Sequence, residues 1–248
     1  MTTRPAHTAT RTASRALATL AVLAPTVVVA RALRVRLSVG PWGRHWARRA
    51  QHGETLLVTL GDSLTVGTGS SRPSTSWLGR FVSHVEASTG HPLRVDNRAV
   101  YGAKIADLIA AQLPLPPDAT LVTLCVGAND AGRTDPEAFR RDLRLVCSQL
   151  PPGSLVGDVP QFQWGGRIDA AAQLARVVRE VVADFPDLVL ATVETHTVDT
   201  KILTELAGDF FHPGDPGHRK IACAFIEAYE VSAVSSAPEL AAGAPVAS

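Results

Sequence analysis

Cysteine is scarce in this chain of 248 residues, with one copy each at positions 125, 147 and 223. No two of the three cysteines form a C-x-x-C pair, which excludes a zinc ribbon, and so few scattered thiols cannot supply a disulfide framework. An odd number of cysteines favours reduced, buried thiols.

Other classes of protein are excluded by composition. Glycine (19) and proline (17) follow no three-residue period, so collagen-like and low-complexity chains are ruled out. Hydrophobic residues make up 46% of the chain and charged residues 19%, which is typical of a packed globular protein. No internal repeat is present.

Acidic residues are absent from the first 53 positions, which carry nine arginines. The other 15 lysines and arginines face all 23 acidic residues, so the remainder of the chain has a net charge of −8. An acidic domain without a basic, aromatic recognition motif does not attract nucleic acid, and we predict no nucleic-acid partner. The nine arginines are Arg4, Arg11, Arg15, Arg31, Arg34, Arg36, Arg44, Arg48 and Arg49.

The N-terminal segment, residues 1–53, has the character of a targeting or membrane-associating region. Its uncharged run, residues 16–30, is shorter than the roughly 20 residues that span a bilayer and is interrupted by Pro25. Three interpretations remain open: a membrane anchor or surface helix, a cleaved signal peptide, and a tail without a membrane role. As an anchor it would keep the following domain in the cytoplasm, because six arginines follow the run and three precede it. We expect membrane association, with secretion after signal cleavage as the alternative.

From residue 54 onward, short apolar runs alternate with longer amphipathic ones. This alternation predicts an α/β domain with a five-stranded parallel sheet covered on both faces by helices. From residue 235 the composition turns to Ala, Pro, Gly and Ser, which predicts a disordered tail. The predicted strands are 56–60, 93–97, 121–126, 154–159 and 188–193, and the predicted longer helices are 77–88, 104–112, 136–150, 167–184 and 219–232.

Residues suited to serine chemistry follow the first, second, third and fifth predicted strands, at the edge where parallel sheets bind ligands. A nucleophilic serine needs a base to take its proton and a carboxylate to orient that base, and Ser63, His212 and Asp209 supply this set. An oxyanion needs hydrogen-bond donors, which the Gly102 N–H, the Ser63 N–H and the Asn129 amide could provide.

Four sequence blocks resemble those of the GDSL, or SGNH, hydrolase family. They are GDSL at 61–64, Asn97 through Gly102, GAND at 127–130 and DFFH at 209–212, within a resemblance that covers about 55–233. The resemblance implies a three-layer α/β/α, flavodoxin-like domain over 54–233, followed by the tail at 234–248. It also implies a catalytic triad of Ser63, Asp209 and His212 and an oxyanion hole containing Gly102 and Asn129. Tyr101 departs from the small residue commoner before the second-block glycine and could narrow the site. No G-x-S-x-G motif is present, so ordinary α/β-hydrolases are not resembled.

Other polar residues near these blocks have structural interpretations. We expect Asp62 and Asp130 to bind loop amides, and Cys125 to be a small buried hydrophobic residue. Asp209, His212, Asp215 and His218 repeat a D-x-x-H pattern that could suggest a metal site, but a further ligand set is missing, and we expect His218 to order the loop or begin the last helix.

The expected function is hydrolysis of a carboxylic ester without cofactor or metal. The alternative is an acyltransferase of the same fold, which passes the acyl group to a sugar or other envelope alcohol. Expected substrates are small-molecule, lipid or acylated-carbohydrate esters. Phe162 and Trp164, after the fourth strand, could line a groove for them or could equally be packed loop aromatics. The lack of a long insertion that would form a lid favours short acyl chains or a shallow, open site.

Overall fold

The computed structural model describes residues 27, 29–51, 53–163 and 165–242, with side chains up to residue 233. Five strands form one sheet in the order β2-β1-β3-β4-β5, and every pair of neighbours is parallel. The predicted α/β class and its parallel sheet are therefore confirmed. The strands are β1 (Thr55–Gly61), β2 (Leu93–Asn97), β3 (Leu121–Cys125), β4 (Leu155–Gly157) and β5 (Val189–Ala191).

The predicted longer helices all form, and shorter ones lie in the connections. A 3-10 turn, Pro73–Thr75, precedes the third helix. The helices are α1 (Val39–Arg49), α2 (Ser63–Val66), α3 (Trp77–Thr89), α4 (Ile105–Gln112), α5 (Pro136–Cys147), α6 (Ile168–Ala183), α7 (Val193–Thr197), α8 (Ile202–Glu205) and α9 (Asp215–Ala242).

Alternation along β1 divides the core between the two faces of the sheet. Leu56, Val58 and Leu60 point to one face, where they pack with α4, α5 and α6. Leu57 points to the other face, where it packs with α3 and α9. Because successive side chains of a strand point to opposite faces, a strand that is apolar at every position needs a helix layer on each side. The result is the expected three-layer arrangement.

The N-terminal helical segment, residues 29–49, packs against the domain. It continues through Ser38 into α1, because the Ser38 N–H donates to Arg34 O and the Trp42 N–H to Ser38 O. Trp46 is only 3% exposed, belongs to the core on the α3 and α9 side, and donates from Nε1 to Val66 O at 3.3 Å. Residues 1–53 are predicted to be a separate targeting or membrane-associating segment, but α1 belongs in part to the core of the domain. The basic residues around Trp46 obscure this buried face in the sequence.

Two further details differ from the sequence prediction. The last helix runs to Ala242, ten residues beyond its predicted end, so part of the segment predicted as a disordered tail is helical. Cys125 and Cys147 are buried as expected, whereas Cys223 is exposed on α9.

The run at 16–30 lies almost wholly outside the described residues. In the part of the chain that the structure describes, no helix combines the length and apolar character needed to cross a membrane.

Candidate active site

Ser63 lies directly after β1, at the carboxyl edge of the sheet. It opens the four-residue helix α2, whose N-cap residue Asp62 accepts a hydrogen bond from the Leu64 N–H at 2.9 Å. The Ser63 side chain is 4% exposed, yet it lines a cavity of about 460 Å³. Among the described residues, the Ser63 N–H has no hydrogen-bond acceptor, as expected for the first turn of a helix.

His212 reaches Ser63 from the loop before α9. Its Nε2 lies 3.0 Å from Ser63 Oγ, and its Nδ1 lies 2.6 Å from Asp209 Oδ2. Gly69, which has φ +97°, permits this approach, because a Cβ there would lie 2.3 Å from Pro213 O and 3.1 Å from the His212 Cβ. The Ser63 loop and the His212 loop therefore touch at a position that tolerates only glycine.

The segment Asp209–His212 is wound so that its first and last side chains meet. The other Asp209 oxygen, Oδ1, accepts the N–H groups of Phe211 at 3.1 Å and His212 at 3.0 Å. Phe210 has φ +55°, a conformation that costs energy for a residue with a Cβ and that clusters at functional sites. Burial opposes ionisation of Asp209, but hydrogen bonds and the charge of His212 outweigh it, so the pKa of Asp209 lies below its ordinary value. Asp209 is thus an anion that holds the His212 ring.

Gly102 and Asn129 lie beside this chain of hydrogen bonds. Gly102 has φ +80° in the turn between β2 and α4, and in the described part of the protein its N–H has no acceptor. The Asn129 Nδ2 donates to Ala103 O at 3.1 Å and to Asp62 Oδ2 at 3.3 Å, which ties the second and third blocks to the Ser63 loop. Both are donors at the strand edge that holds Ser63.

Asp62 and Asp130 bind loop amides, as expected. Asp130 is buried and accepts the Ile105 N–H at 3.1 Å and the Thr134 hydroxyl at 2.7 Å, which joins the start of α4 to the third block. Burial is the largest cause that raises the pKa of both carboxyl groups, and the pKa of Asp62 reaches about 7. Asp62 thus contacts the Asn129 side chain, and Asp130 holds the first residue of α4.

Aromatic rings surround His212. Tyr101 lies with its ring centroid 5.6 Å from that of His212, and Phe211 packs edge-on at 5.0 Å. Phe211 also contacts Phe162, at 5.7 Å between centroids. Phe162 and Phe211 both line the cavity, and Phe162 also packs against the core, so both interpretations of Phe162 apply, whereas Trp164 lies outside the described residues. The candidate site therefore has a largely apolar wall.

The repeated D-x-x-H pattern does not converge on a shared point. Asp215 accepts from Ser71 and Thr75, while His218 is fully buried, donates from Nε2 to Thr68 O at 3.0 Å and accepts the Trp77 N–H at Nδ1. Within the described ranges, no group of three or more His, Cys, Asp or Glu side chains is placed to hold a metal ion. His218 instead orders the loop that follows α2, as expected.

Comparison with known proteins decides the family. The model of the GDSL-like lipase/acylhydrolase family matches residues 59–220, well over half of the chain. The chain belongs to this family. It is therefore a hydrolase that cleaves ester bonds, and the resemblance of its four sequence blocks is confirmed. No curated protein matches the sequence.

Solved structures share the fold of this GDSL-like hydrolase at low identity. Axe2, an acetylxylan esterase from Geobacillus stearothermophilus, is 18% identical with a TM-score of 0.56, over 71% of this chain and 94% of its own. LAE5, an alpha/beta hydrolase enzyme from the metagenome of Lake Arreo, Spain, is 19% identical with a TM-score of 0.59, over 73% and 98%. The lipase Lip_vut3 from a goat rumen metagenome is 15% identical with a TM-score of 0.57, over 71% and 97%.

Sequence reasoning missed several residues that shape the site of this GDSL-like hydrolase. Gln112 is 1% exposed, accepts the Gly61 N–H and donates to Gly61 O, both at 2.8 Å, which holds the end of β1 just before Ser63. Arg133 and Arg167 line the cavity. Glutamine at the end of an amphipathic helix carries no sequence signal for such a role, whereas Arg133 lies only three residues beyond the GAND block.

Proposed function

We propose that Ser63, His212 and Asp209 act as a catalytic triad that hydrolyses a carboxylic ester, with Gly102 and Asn129 in the oxyanion hole. The observation that carries this proposal is the unbroken path of hydrogen bonds from Ser63 Oγ through both His212 nitrogens to Asp209. A base 3.0 Å from the hydroxyl and a carboxylate on its far nitrogen are what an activated serine requires.

In the proposed reaction, His212 Nε2 takes the Ser63 proton as Oγ attacks the ester carbonyl carbon. Asp209 stabilises the imidazolium that forms. The oxyanion accepts the N–H groups of Ser63 and Gly102 and one Asn129 N–H, released from the longer of its two bonds, the one to Asp62. As the intermediate collapses, Nε2 returns the proton to the leaving alcohol. Water then attacks the acyl-serine, gives its proton to Nε2, and Ser63 recovers that proton when the acid leaves.

The proposed substrates are esters of small acyl groups. A cavity of about 460 Å³ beside Ser63 is in the range that holds a small ligand, and its apolar wall suits an acyl chain. Solved structures that share the fold include an acetylxylan esterase and a lipase, so acylated carbohydrates and lipids are both in the proposed range. No comparison supports the alternative of acyl transfer to a sugar.

The test is covalent labelling of the whole chain with a fluorophosphonate, followed by mass spectrometry of the adduct. We expect an adduct on Ser63 that is lost in Ser63→Ala and His212→Ala and retained in His91→Ala, a control at an exposed histidine. Triad members act as a unit, so the first two variants should be about equally inactive towards 4-nitrophenyl acetate. Labelling of another serine, or full activity in Ser63→Ala, would contradict the proposal.

We also propose that the N-terminal helical segment contacts an anionic membrane surface. Val29, Leu33 and Leu37 are four residues apart and are 65%, 54% and 66% exposed, which forms an apolar stripe on a helix rich in arginine. Helices with this pattern bind at the interface of bilayers that contain anionic lipid.

Flotation with vesicles tests this contact. We expect the full chain to bind vesicles of phosphatidylcholine with phosphatidylserine, more weakly with phosphatidylcholine alone, and to lose binding in Leu33→Ser/Leu37→Ser. The matched control is Leu203→Ser, on α8 and 84% exposed. Equal binding to both kinds of vesicle, or no effect of the stripe variant, would contradict the proposed surface.

A further inference from the structure

The cavity beside Ser63 has positive charge on one wall. Arg133 and Arg167 belong to its lining, and among the described lining residues there is no Asp or Glu. Residues 54–248 carry a net charge of −8, so a cluster of cations at this place runs against the charge of the domain. The described lining of the cavity is therefore positively charged although the domain as a whole is negatively charged.

Arg167 has no carboxylate partner in the described part of the chain. Its Nε donates to Ala131 O at 2.8 Å and its Nη2 to Ala128 O at 2.9 Å, while its guanidinium carbon lies 5.2 Å from the centroid of the Phe162 ring. These contacts fix the orientation of the guanidinium without neutralising its charge. Its Nη1 group has no acceptor among the described residues.

Arg133 adds a second uncompensated cation. Its side chain is exposed, and no ion pair joins it to any carboxylate that the structure describes. Burial lowers the pKa of Arg167, and the charge of nearby Arg133 lowers it further. By contrast, Arg140, Arg144 and Arg179 on α5 and α6 are paired with carboxylates. Two guanidinium groups at one cavity, neither with a carboxylate partner among the described residues, are a donor set that an anion would complete.

We propose that the ester substrate carries an anionic group, a carboxylate or a phosphate, that Arg133 and Arg167 hold in the cavity. This inference rests on the proposed role of Ser63. Arg167 is oriented by the Ala128 and Ala131 carbonyls on either side of Asn129, so an anion on its free face lies in the same cavity as the reacting ester. Arg133 is the more exposed and the more adaptable of the two.

The experiment compares kcat/KM for matched anionic and neutral esters. One arm places the charge on the alcohol, with 4-acetoxybenzoate against 4-acetoxybenzamide. The other arm places it on the acyl group, with 4-nitrophenyl hydrogen adipate against its methyl ester. For each variant we take the ratio of kcat/KM for the anionic ester to kcat/KM for the neutral ester and divide it by the same ratio for the unmodified enzyme. Differences in the intrinsic reactivity of the two esters then cancel.

We expect Arg133→Gln to lower this ratio about tenfold in one arm, the arm whose ester carries its charge on the same part, alcohol or acyl group, as the natural substrate. The reason is the loss of a charged hydrogen bond at a partly exposed site. Arg133→Lys should restore most of the ratio, and 0.5 M NaCl should reduce it in the unmodified enzyme. Arg176→Gln, on the exposed side of α6, is the matched control and should keep the original ratio.

An unchanged ratio in Arg133→Gln on both arms would overturn the inference while leaving the proposed function intact, provided that Ser63→Ala abolishes turnover of the neutral esters. Turnover that survives Ser63→Ala would overturn the proposed function and this inference together. The ratio could also drop as much in Arg176→Gln as in Arg133→Gln. That result would mean that the ratio reports the net charge of the domain and not binding of the anion in the cavity, and it would also overturn the inference.

Discussion

At the residue scale, the site depends on polar groups whose freedom to bond elsewhere is removed. Asp209 is occupied on both oxygens, His212 on both nitrogens and Gln112 at both ends of its amide. Because each buried polar group that loses its partner costs free energy, these bonds also determine where Ser63 lies.

Asn129→Ala tests the proposed oxyanion hole at this scale. Removal of one oxyanion donor lowers kcat by about 10²–10³-fold, so turnover of 4-nitrophenyl acetate should fall by that factor with an unchanged far-UV circular dichroism spectrum. Gln149→Ala, at an exposed position just after α5, is the control. Full turnover in Asn129→Ala would remove Asn129 from the oxyanion hole.

Gln112→Leu tests the support beneath Ser63. The Gly61 N–H and C=O would lose their partners in a buried position, so the free energy of unfolding should fall by about 2–4 kcal/mol, and turnover should fall with it. Urea unfolding of this variant beside Gln149→Leu provides the measurement. A variant as stable and active as the original would mean that the two bonds contribute little.

At the scale of elements, the helices that meet near the site are joined by a few buried contacts. Trp77 of α3 stacks on Phe225 of α9, with centroids 4.3 Å apart, and His218 of α9 reaches back to the loop after α2. The N-terminal helical segment contacts two loops next to the site. The Arg36 guanidinium carbon lies 4.4 Å from the centroid of the Tyr101 ring, and Arg31 packs against Gly208, next to Asp209.

Trp46→Ala tests the packing of α1. The removal of a buried tryptophan leaves a cavity and costs about 3–5 kcal/mol of unfolding free energy. Leu37→Ala, at an exposed position of the same segment, should change it by less than about 0.5 kcal/mol. Equal effects of the two substitutions in urea unfolding would show that α1 does not pack as described.

His218→Gln tests a pH dependence. Burial, the largest cause, lowers the pKa of His218 to about 4 from its ordinary 6.5. The unfolded chain therefore binds a proton between these values when the folded chain does not, so stability from His218 is present above pH 6.5 and is lost as the pH falls towards 4. The loss is on the order of 3 kcal/mol.

Burial is the largest cause that raises the pKa of Asp62 to about 7, so the stability from Asp62 changes with pH in the opposite direction to that from His218. The effect of His218 is therefore measured by comparing the His218→Gln variant with the original protein. The fall in unfolding free energy from pH 7 to pH 4.5 should be smaller in His218→Gln than in the original protein. Parallel curves for the two proteins would contradict the neutral, buried state of His218.

At the scale of the whole molecule, the chain combines a basic N-terminus with an acidic domain. Nine arginines lie in the first 53 residues, and the remainder has a net charge of −8, but the two parts are not separate bodies, because α1 is part of the core. A boundary drawn from charge alone therefore cuts through a packed unit.

Truncation tests this unity. A chain of residues 54–248 lacks Trp46 and the contacts of Arg36 with Tyr101, so it should unfold at lower urea concentration and react more slowly with a fluorophosphonate than a chain of residues 27–248. Identical unfolding midpoints for the two chains would show that the segment is dispensable for stability.

The sequence alone predicted much of this molecule. Apolar runs at strand spacing and amphipathic runs at helix spacing identified all five strands and the longer helices, because burial on two faces leaves a pattern that depends only on local order. The four blocks identified the family by their resemblance to it. Because the blocks follow strand ends, their residues are expected at one edge of the parallel sheet. The same blocks predict Ser63, Gly102, Asn129, Asp209 and His212 as site residues, and these residues form the proposed site.

Only the tertiary structure determined which distant groups meet. The bond of Gln112 to Gly61, the bond of His218 to Thr68, the burial of Trp46 and the place of Arg167 at the cavity have no periodic or motif signal. Their roles depend on contacts between segments that are far apart in the chain. Tertiary packing decides which hydrogen bonds form there and which charged groups find an oppositely charged partner. The sequence determined the chemistry available at the sheet edge, and the packing determined which groups support it and what charge its cavity presents.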